Sequence, residues 1–227
     1  MQKMKMLVGG ILCAAAVGAQ AYEAGDWIVR AGAATVDPTE DSSTVTLNGA
    51  EALGSNARVT VDSDTQLGLT VAYMVTPNVG VELLAATPFS HNINANSSLE
   101  KVTGYNDLGD TKQLPPTLSL QYYFNNSSDF TPYVGMGVNY TIFFDEGTSR
   151  ELQGTLGGDA KMDLENSWGL AAQAGVDYKL ADNWLLNAAV WYIDIDTEAD
   201  ITSPAGRVEV DVDVDPWVYM VGVGYKF

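Results

Sequence analysis

The chain has one histidine, His91, in the stretch Ser90-His91-Asn92-Ile93-Asn94. A histidine and a serine can run nucleophilic hydrolysis when they meet across a fold and a third group orients the imidazole. Ser90 is instead the immediate chain neighbour, and the sequence holds no nucleophile elbow and no zinc motif. The polar surroundings predict a solvated surface-loop histidine, so neither enzyme activity nor a cofactor is expected. A second group is acidic: Asp194, Asp196, Glu209, Asp211, Asp213 and Asp215. Carboxylates suit Ca²⁺ or Mg²⁺, but no loop has the ligand spacing of a dedicated calcium site, so no metal site is expected. A third group is scattered, with Arg30, Glu82, Asp177, Lys179 and Lys226 each standing among small or apolar residues. A lone buried charge is strongly unfavourable, so pairs such as Arg30 with Glu82 or Asp177 with Lys226 are expected.

The elements that must position these groups are strands. Period-two alternation recurs in segments of about ten residues between turn signals. Leu67, Leu69, Val71, Tyr73 and Val75 share one parity, opposite Gln66, Gly68, Thr70, Ala72 and Met74. The same split separates Val134, Met136, Val138 and Tyr140 from Gly135, Gly137 and Asn139. The last segment opposes Trp217, Tyr219, Val221, Val223, Tyr225 and Phe227 to Gly222, Gly224 and Lys226. Eight such segments are counted, near 26–36, 63–76, 79–90, 115–124, 132–145, 167–180, 184–197 and 208–227. An even number of antiparallel strands can close on itself and leave no edge in lipid.

The bulky face is free of charge along the middle of each segment and carries aromatics towards the ends, among them Trp27, Tyr73, Tyr122, Trp168, Trp184 and Trp217. A soluble barrel would hide that face, whereas rings at both strand ends suit the two interfaces of a membrane. The predicted fold is therefore all-β, an eight-stranded antiparallel transmembrane β-barrel in the outer membrane of a Gram-negative cell. Short connections near 77–78, 125–131 and 181–183 read as periplasmic turns. Those near 37–62, 91–113, 146–166 and 198–207 read as long, polar and acidic extracellular loops, which puts both termini in the periplasm.

The first residues agree with export. Lys3 and Lys5 precede the apolar run Met6–Val17, and Ala19-Gln20-Ala21 fits a small-x-small cleavage site. Residues 1–21 read as a cleaved signal peptide and 22–227 as the barrel; the one cysteine, Cys13, leaves with the leader. Losing two lysines and no acid takes the formal charge from −18 to −20, which excludes nucleic acid as a partner. Outer-membrane lipid and lipopolysaccharide are the expected surroundings. The outward acids are either solvated or bridged to lipopolysaccharide phosphates by divalent ions. The terminal Phe227 resembles the signal read by the barrel-assembly machinery.

The residue runs resemble the outer membrane protein W family. They include Glu23-Ala24-Gly25-Asp26-Trp27, Arg30 to Val36 with Pro38-Thr39-Glu40, Gln66 to Thr70, and Asn78 to Phe89. Leu114 to Leu118, Pro132 to Gly135, Ser167-Trp168-Gly169, Val190 to Asp196 and Asp215-Pro216-Trp217 continue the match in family order. The resemblance implies an eight-stranded barrel with a narrow apolar lumen, linked to passage of small hydrophobic molecules. A surface receptor or a structural barrel without transport is the rival, and one sequence does not show what the loops bind.

Parity supplies the lumen residues. Leu84 and Ala86 follow Glu82 inward, and Trp191, Ile193 and Ile195 share the face of Asn187. Val208, Val210, Val212 and Val214 face inward while Glu209, Asp211, Asp213 and Asp215 beside them face out. Read from the residues alone, this set is equally a surface for apolar solutes and a plain core; the resemblance favours the conduit. The inner charges fall towards the periplasmic ends and would block onward passage. Lateral escape through the wall is therefore the hypothesis, near Pro88 and Pro115-Pro116, which lack ladder donors. Those prolines could equally do no more than end strands.

Overall fold

The computed structural model describes residues 21–39, 41–49 and 56–227. Positions 1–20 of the expected leader (with Lys3, Lys5 and Cys13), Glu40 and positions 50–55 lie outside the described residues. The strands are β1 Trp27–Asp37, β2 Asp41–Ser42, β3 Thr46–Leu47, β4 Val59–Val61, β5 Asp64–Thr76, β6 Val79–Ala86, β7 Phe89–Ala95 and β8 Asp107–Leu114. They continue with β9 Thr117–Tyr123, β10 Phe130–Thr148, β11 Lys161–Leu164, β12 Ser167–Lys179, β13 Trp184–Ile193, β14 Asp196–Ser203, β15 Gly206–Asp213 and β16 Trp217–Lys226. Two short helices are α1 Ser97–Thr103 and α2 Arg150–Thr155. Among the described residues no helix is long and apolar enough to cross a membrane.

Eight of these strands close a barrel in the ring order β1, β5, β6, β9, β10, β12, β13, β16 and back to β1. Every pairing is antiparallel, from Ile28↔Lys226 on one side of β1 to Trp27↔Tyr73 on the other. Closure pairs each strand on both sides, as strands in hydrocarbon require. Gly32 and Gly222 face each other across the β1–β16 pair, so close that a Cβ on either would fall on the other strand's backbone.

The outward face is apolar and bare: Trp168 is 73% exposed and Met136 72%. Residues so large and so exposed are not covered by the barrel and face lipid. Aromatic pairs gather in two belts. Trp27–Tyr73, Phe130–Tyr178 and Trp184–Tyr225 ring the end that carries the short turns, with centroids 4.7 to 5.1 Å apart. Tyr140–Trp168 (4.4 Å) and Tyr192–Trp217 (5.4 Å) lie towards the other end. From Trp217 to Tyr225 is roughly 26 Å along the strand, or less in height with tilt, close to the apolar band of such barrels.

The long connections correct the expectation of polar loops. They continue the wall beyond the second belt as paired strands: β7 with β8, β14 with β15, β11 with β14, and β4 with β7. Two helices close over them. Asn96 caps α1 by accepting from the Leu99 N–H at 2.9 Å, and Ser149 caps α2 by accepting from the Leu152 N–H at 3.1 Å. The expected segment 79–90 splits into β6 and β7, 184–197 into β13 and β14, and 208–227 into β15 and β16.

Candidate functional site

The barrel interior has a polar floor at the turn end and an apolar chamber at the loop end. Arg30, fully buried, is the centre of the floor. Its Nη1 lies 2.9 Å from Glu82 Oε2 on β6, and its Nε and Nη2 lie 3.0 and 2.6 Å from the two oxygens of Asp177 on β12. A planar guanidinium suits this arrangement because its fork can grip one carboxylate bidentately and still reach a second. Tyr22 donates to Asp177 Oδ2 at 2.6 Å, Asn187 Nδ2 donates to Asp177 Oδ1 at 2.9 Å, and Arg30 Nη2 also donates to the Tyr123 hydroxyl at 3.1 Å. The Tyr133 ring lies beneath the guanidinium, 5.2 Å from its carbon, and Gly175 leaves the room that ring occupies. Six strands, β1, β6, β9, β10, β12 and β13, are thereby tied across the lumen.

The expected Asp177–Lys226 pair is not formed. Asp177 is taken by Arg30, whose longer reach spans the barrel, while Lys226 lies 3.7 Å from Asp26 and donates to the Ala21 carbonyl at 3.2 Å. Lys179 is half-exposed at the turn-end mouth, 3.6 Å from Asp182. These two lysines border the opening and are not part of the buried network.

Above the floor, Leu84, Trp191, Ile193 and Ile195 are buried in continuous packing, and the Trp191 indole nitrogen has no hydrogen-bond partner. Ala86 packs against this core and is partly buried. Further out lies a cavity of about 220 Å³, lined by Val208, Val210, Val212 and Val214 of the expected set. The rest of its wall comes from the long connections, including Leu99 of α1, Leu152 of α2, Met162, Ala199 and Ile201. A chamber lined this way holds apolar matter in preference to water. The missed wall residues carry a faint signal: Thr197, Ala199 and Ile201 alternate with Glu198 and Asp200.

His91 is the clearest departure from expectation. It is 2% exposed, lies on β7 and lines the cavity. Its Nδ1 is 2.6 Å from the Asp62 carbonyl and its Nε2 is 2.8 Å from Gln113 Nε2 on β8. Burial lowers its pKa below the ordinary value, against the opposing pull of the Asp62 carbonyl and the Asp64 and Asp62 charges. The alternation Phe89, His91, Ile93 and Ala95 continues inward parity through a stretch whose polar letters suggested a loop. Ser90 is exposed on the opposite face, so the two side chains form no relay.

Beside the cavity the wall is interrupted. Pairing of β6 with β9 ends at Leu84↔Thr117, and pairing of β7 with β8 begins at Phe89↔Gln113, one residue out of register. Neither Pro115 nor Pro116 has an N–H to give. Their carbonyls are taken on their own side of the gap, Pro115 by the Thr117 hydroxyl at 3.1 Å and Pro116 by the Tyr140 N–H at 3.1 Å. Across the gap, Ala85 and Ala86 pair with β5 on their other edge, and the Thr87 N–H donates to the Leu67 carbonyl at 2.9 Å.

Outside the opposite wall, carboxylate oxygens of Asp194, Asp196 and Asp215 lie within 4.8 Å of one another. Partial burial, then the charges of Asp194, Asp213 and Asp215, push the Asp196 carboxyl above its usual range. Asp215 is spoken for, accepting from the Ile195 N–H at 3.1 Å and from the Tyr192 hydroxyl at 2.9 Å.

Comparison with known proteins fits this geometry. The sequence profile of the OmpW family matches residues 23–227. The chain belongs to the OmpW family. It is 46% identical to outer membrane protein W of Vibrio cholerae serotype O1, over 99% of this chain and all of the relative. The crystal structure of the outer membrane protein OprG from Pseudomonas aeruginosa superposes with a TM-score of 0.83 at 51% identity, covering 92% of this chain and 98% of that one. Outer membrane protein AlkL of Ectopseudomonas oleovorans is 30% identical over 91% of this chain and 84% of its own. The fold is thus an outer-membrane β-barrel seated in the lipid bilayer, and the OmpW-family members compared are barrels of the same kind.

Proposed function

We propose that this OmpW-family barrel passes small apolar molecules into the outer membrane, admitting them at the loop end and releasing them sideways. In this reading the short turns and both termini are periplasmic, residues 1–21 are removed on export, and the barrel-assembly machinery reads the strand that ends in Phe227. Lipopolysaccharide surrounds the acidic outer rim. No catalysis is assigned to the barrel in this reading, since both ring nitrogens of His91 are engaged, by the Asp62 carbonyl and by Gln113.

The observation that carries the proposal is the apolar chamber ending on a closed polar floor, with an unpaired stretch of wall between them. A solute that enters the chamber meets Trp191 and Leu84 below it and the Arg30 network below that. Desolvating those charges to go further is strongly unfavourable for an apolar molecule and offers it nothing in return. The gap between Ala85–Pro88 and Leu114–Pro116 lies level with the second aromatic belt, where the Tyr140 N–H takes the Pro116 carbonyl. In this reading it releases the solute into the lipid, where such a molecule is most stable. The same floor obstructs water and ions, so the barrel admits apolar matter without leaking.

Uptake of N-phenyl-1-naphthylamine, which fluoresces in hydrocarbon, tests the proposal in cells that carry the protein as their only barrel of this type. Ala199→Trp places a large ring in the chamber from a buried wall position. Uptake should fall several-fold with the barrel still folded. Wild-type uptake in that variant would sink the conduit and favour a receptor or structural barrel.

A further inference from the structure

The chamber is not uniformly apolar, and its polar patch is arranged in one direction. The Asp62 carbonyl can only accept, so the hydrogen on the His91 ring sits on Nδ1. In the neutral ring Nε2 is then an acceptor, and it faces a group that must donate: the Gln113 side-chain amide nitrogen, 2.8 Å away. That contact fixes which way the Gln113 amide lies. Its oxygen, Oε1, is turned from the histidine and has no hydrogen-bond partner, although Gln113 is only 2% exposed and lines the chamber. A buried amide oxygen without a partner is uncommon and unfavourable, and a ligand that donates to it removes the penalty. Tyr105 lines the same chamber, and its buried hydroxyl is likewise without a partner.

We infer that Gln113 Oε1 is a hydrogen-bond acceptor for the solute, held in place by His91, and that the chamber selects apolar molecules bearing one hydroxyl. This rests on the conduit reading above and names its substrate class. The alkyl body lies against Val208, Val210 and Val212, the hydroxyl hydrogen goes to Gln113 Oε1, and the hydroxyl oxygen is free to accept from Tyr105. An alkane of equal length fits the same space but leaves Gln113 Oε1 unsatisfied. Gln113 is also the first residue above the gap in the wall, so the polar contact holds the solute beside its exit.

The test uses the whole barrel in lipid nanodiscs with two probes of nine heavy atoms, 1-octanol and n-nonane. Methyl resonances of Val208 and Val210 report entry into the chamber, and the Gln113 side-chain carbonyl carbon reports the hydrogen bond. Both probes should move the valine methyls, and only 1-octanol should move the Gln113 carbonyl. Gln113→Met should weaken 1-octanol about five-fold and leave n-nonane unchanged. Valine shifts with a Gln113 carbonyl that ignores 1-octanol would overturn this inference and leave the conduit intact. Equal weakening of both probes by Gln113→Met would also overturn it. Valine methyls that respond to neither probe would overturn the conduit reading itself. Because the carbonyl shift is read on the unaltered protein, the result does not depend on how the variant folds.

Discussion

Two seams of the barrel each pass from one strand pair to the next at the loop end, and they make the passage in opposite ways. Where β13 and β16 give way to β14 and β15, pairing runs from Tyr192↔Trp217 to Asp196↔Asp213 without a change of register. The Ile193 N–H reaches the Pro216 carbonyl at 3.2 Å and the Val214 N–H reaches the Ile195 carbonyl at 2.8 Å, so the proline there serves as an acceptor only. Asp215 takes a φ of 36°, rare for a residue with a side chain, and its carboxylate holds the Ile195 N–H and the Tyr192 hydroxyl in return. Where β6 and β9 give way to β7 and β8, the prolines' carbonyls are turned away and nothing bridges the gap. Proline alone therefore does not open a barrel wall; what decides is whether its carbonyl still faces the neighbouring strand.

Both seams stand on one base. Arg30 supplies it by gripping Glu82 below the open seam and Asp177, which in turn holds Asn187 below the closed one. Arg30→Met leaves two buried carboxylates facing each other and should lower unfolding stability by about 3–5 kcal/mol, the largest effect expected. Urea unfolding in lipid vesicles measures it, and a loss under about 1 kcal/mol would mean that the floor is not what joins the seams. Asp215→Ala removes the two hydrogen bonds that mend the closed seam and keeps its backbone strain, for an expected loss of about 1–3 kcal/mol. Faster hydrogen exchange at Ile195 should accompany it.

A smaller effect tests the open seam just above its gap. His91 ties β7 to the Asp62 carbonyl and to Gln113, and its folded-state pKa lies below the ordinary 6.5 because it is buried. The unfolded chain protonates first as pH falls, so this stabilisation is complete above about 6.5 and is lost as pH drops towards the folded value. Between pH 7.5 and 5.5 the wild type should lose a few degrees more in thermal midpoint than His91→Gln. Equal pH dependence in the two proteins would show that His91 does not stay neutral there.

Much of this was legible in the residues, for a physical reason. A strand with lipid on one side and a narrow lumen on the other alternates strictly, so Leu67 to Val75 announced its facing letter by letter. The Arg30–Glu82 contact followed from parity and the penalty for lone charges. Parity gives a facing but not an angle around the barrel, so it points Asp177 to Lys226, whereas Arg30 reaches Asp177 from across the lumen. The chamber wall was hidden because β11 and β14 alternate for only four and eight residues and carry acids on the face in water. The burial of His91 is not legible, because one buried polar contact on each ring nitrogen leaves no trace in a polar stretch such as Ser90-His91-Asn92.

The central claim is that solute leaves through the unpaired seam, and closing that seam tests it most directly. Pro88→Val, Pro115→Val and Pro116→Val together return three N–H donors to the gap, and protection of those amides from exchange shows when the ladder has formed. With the gap protected, uptake of N-phenyl-1-naphthylamine should fall to the level of cells lacking the barrel, while Pro216→Val in the closed seam leaves it unchanged. Full uptake through a triple variant whose gap is protected would contradict lateral exit.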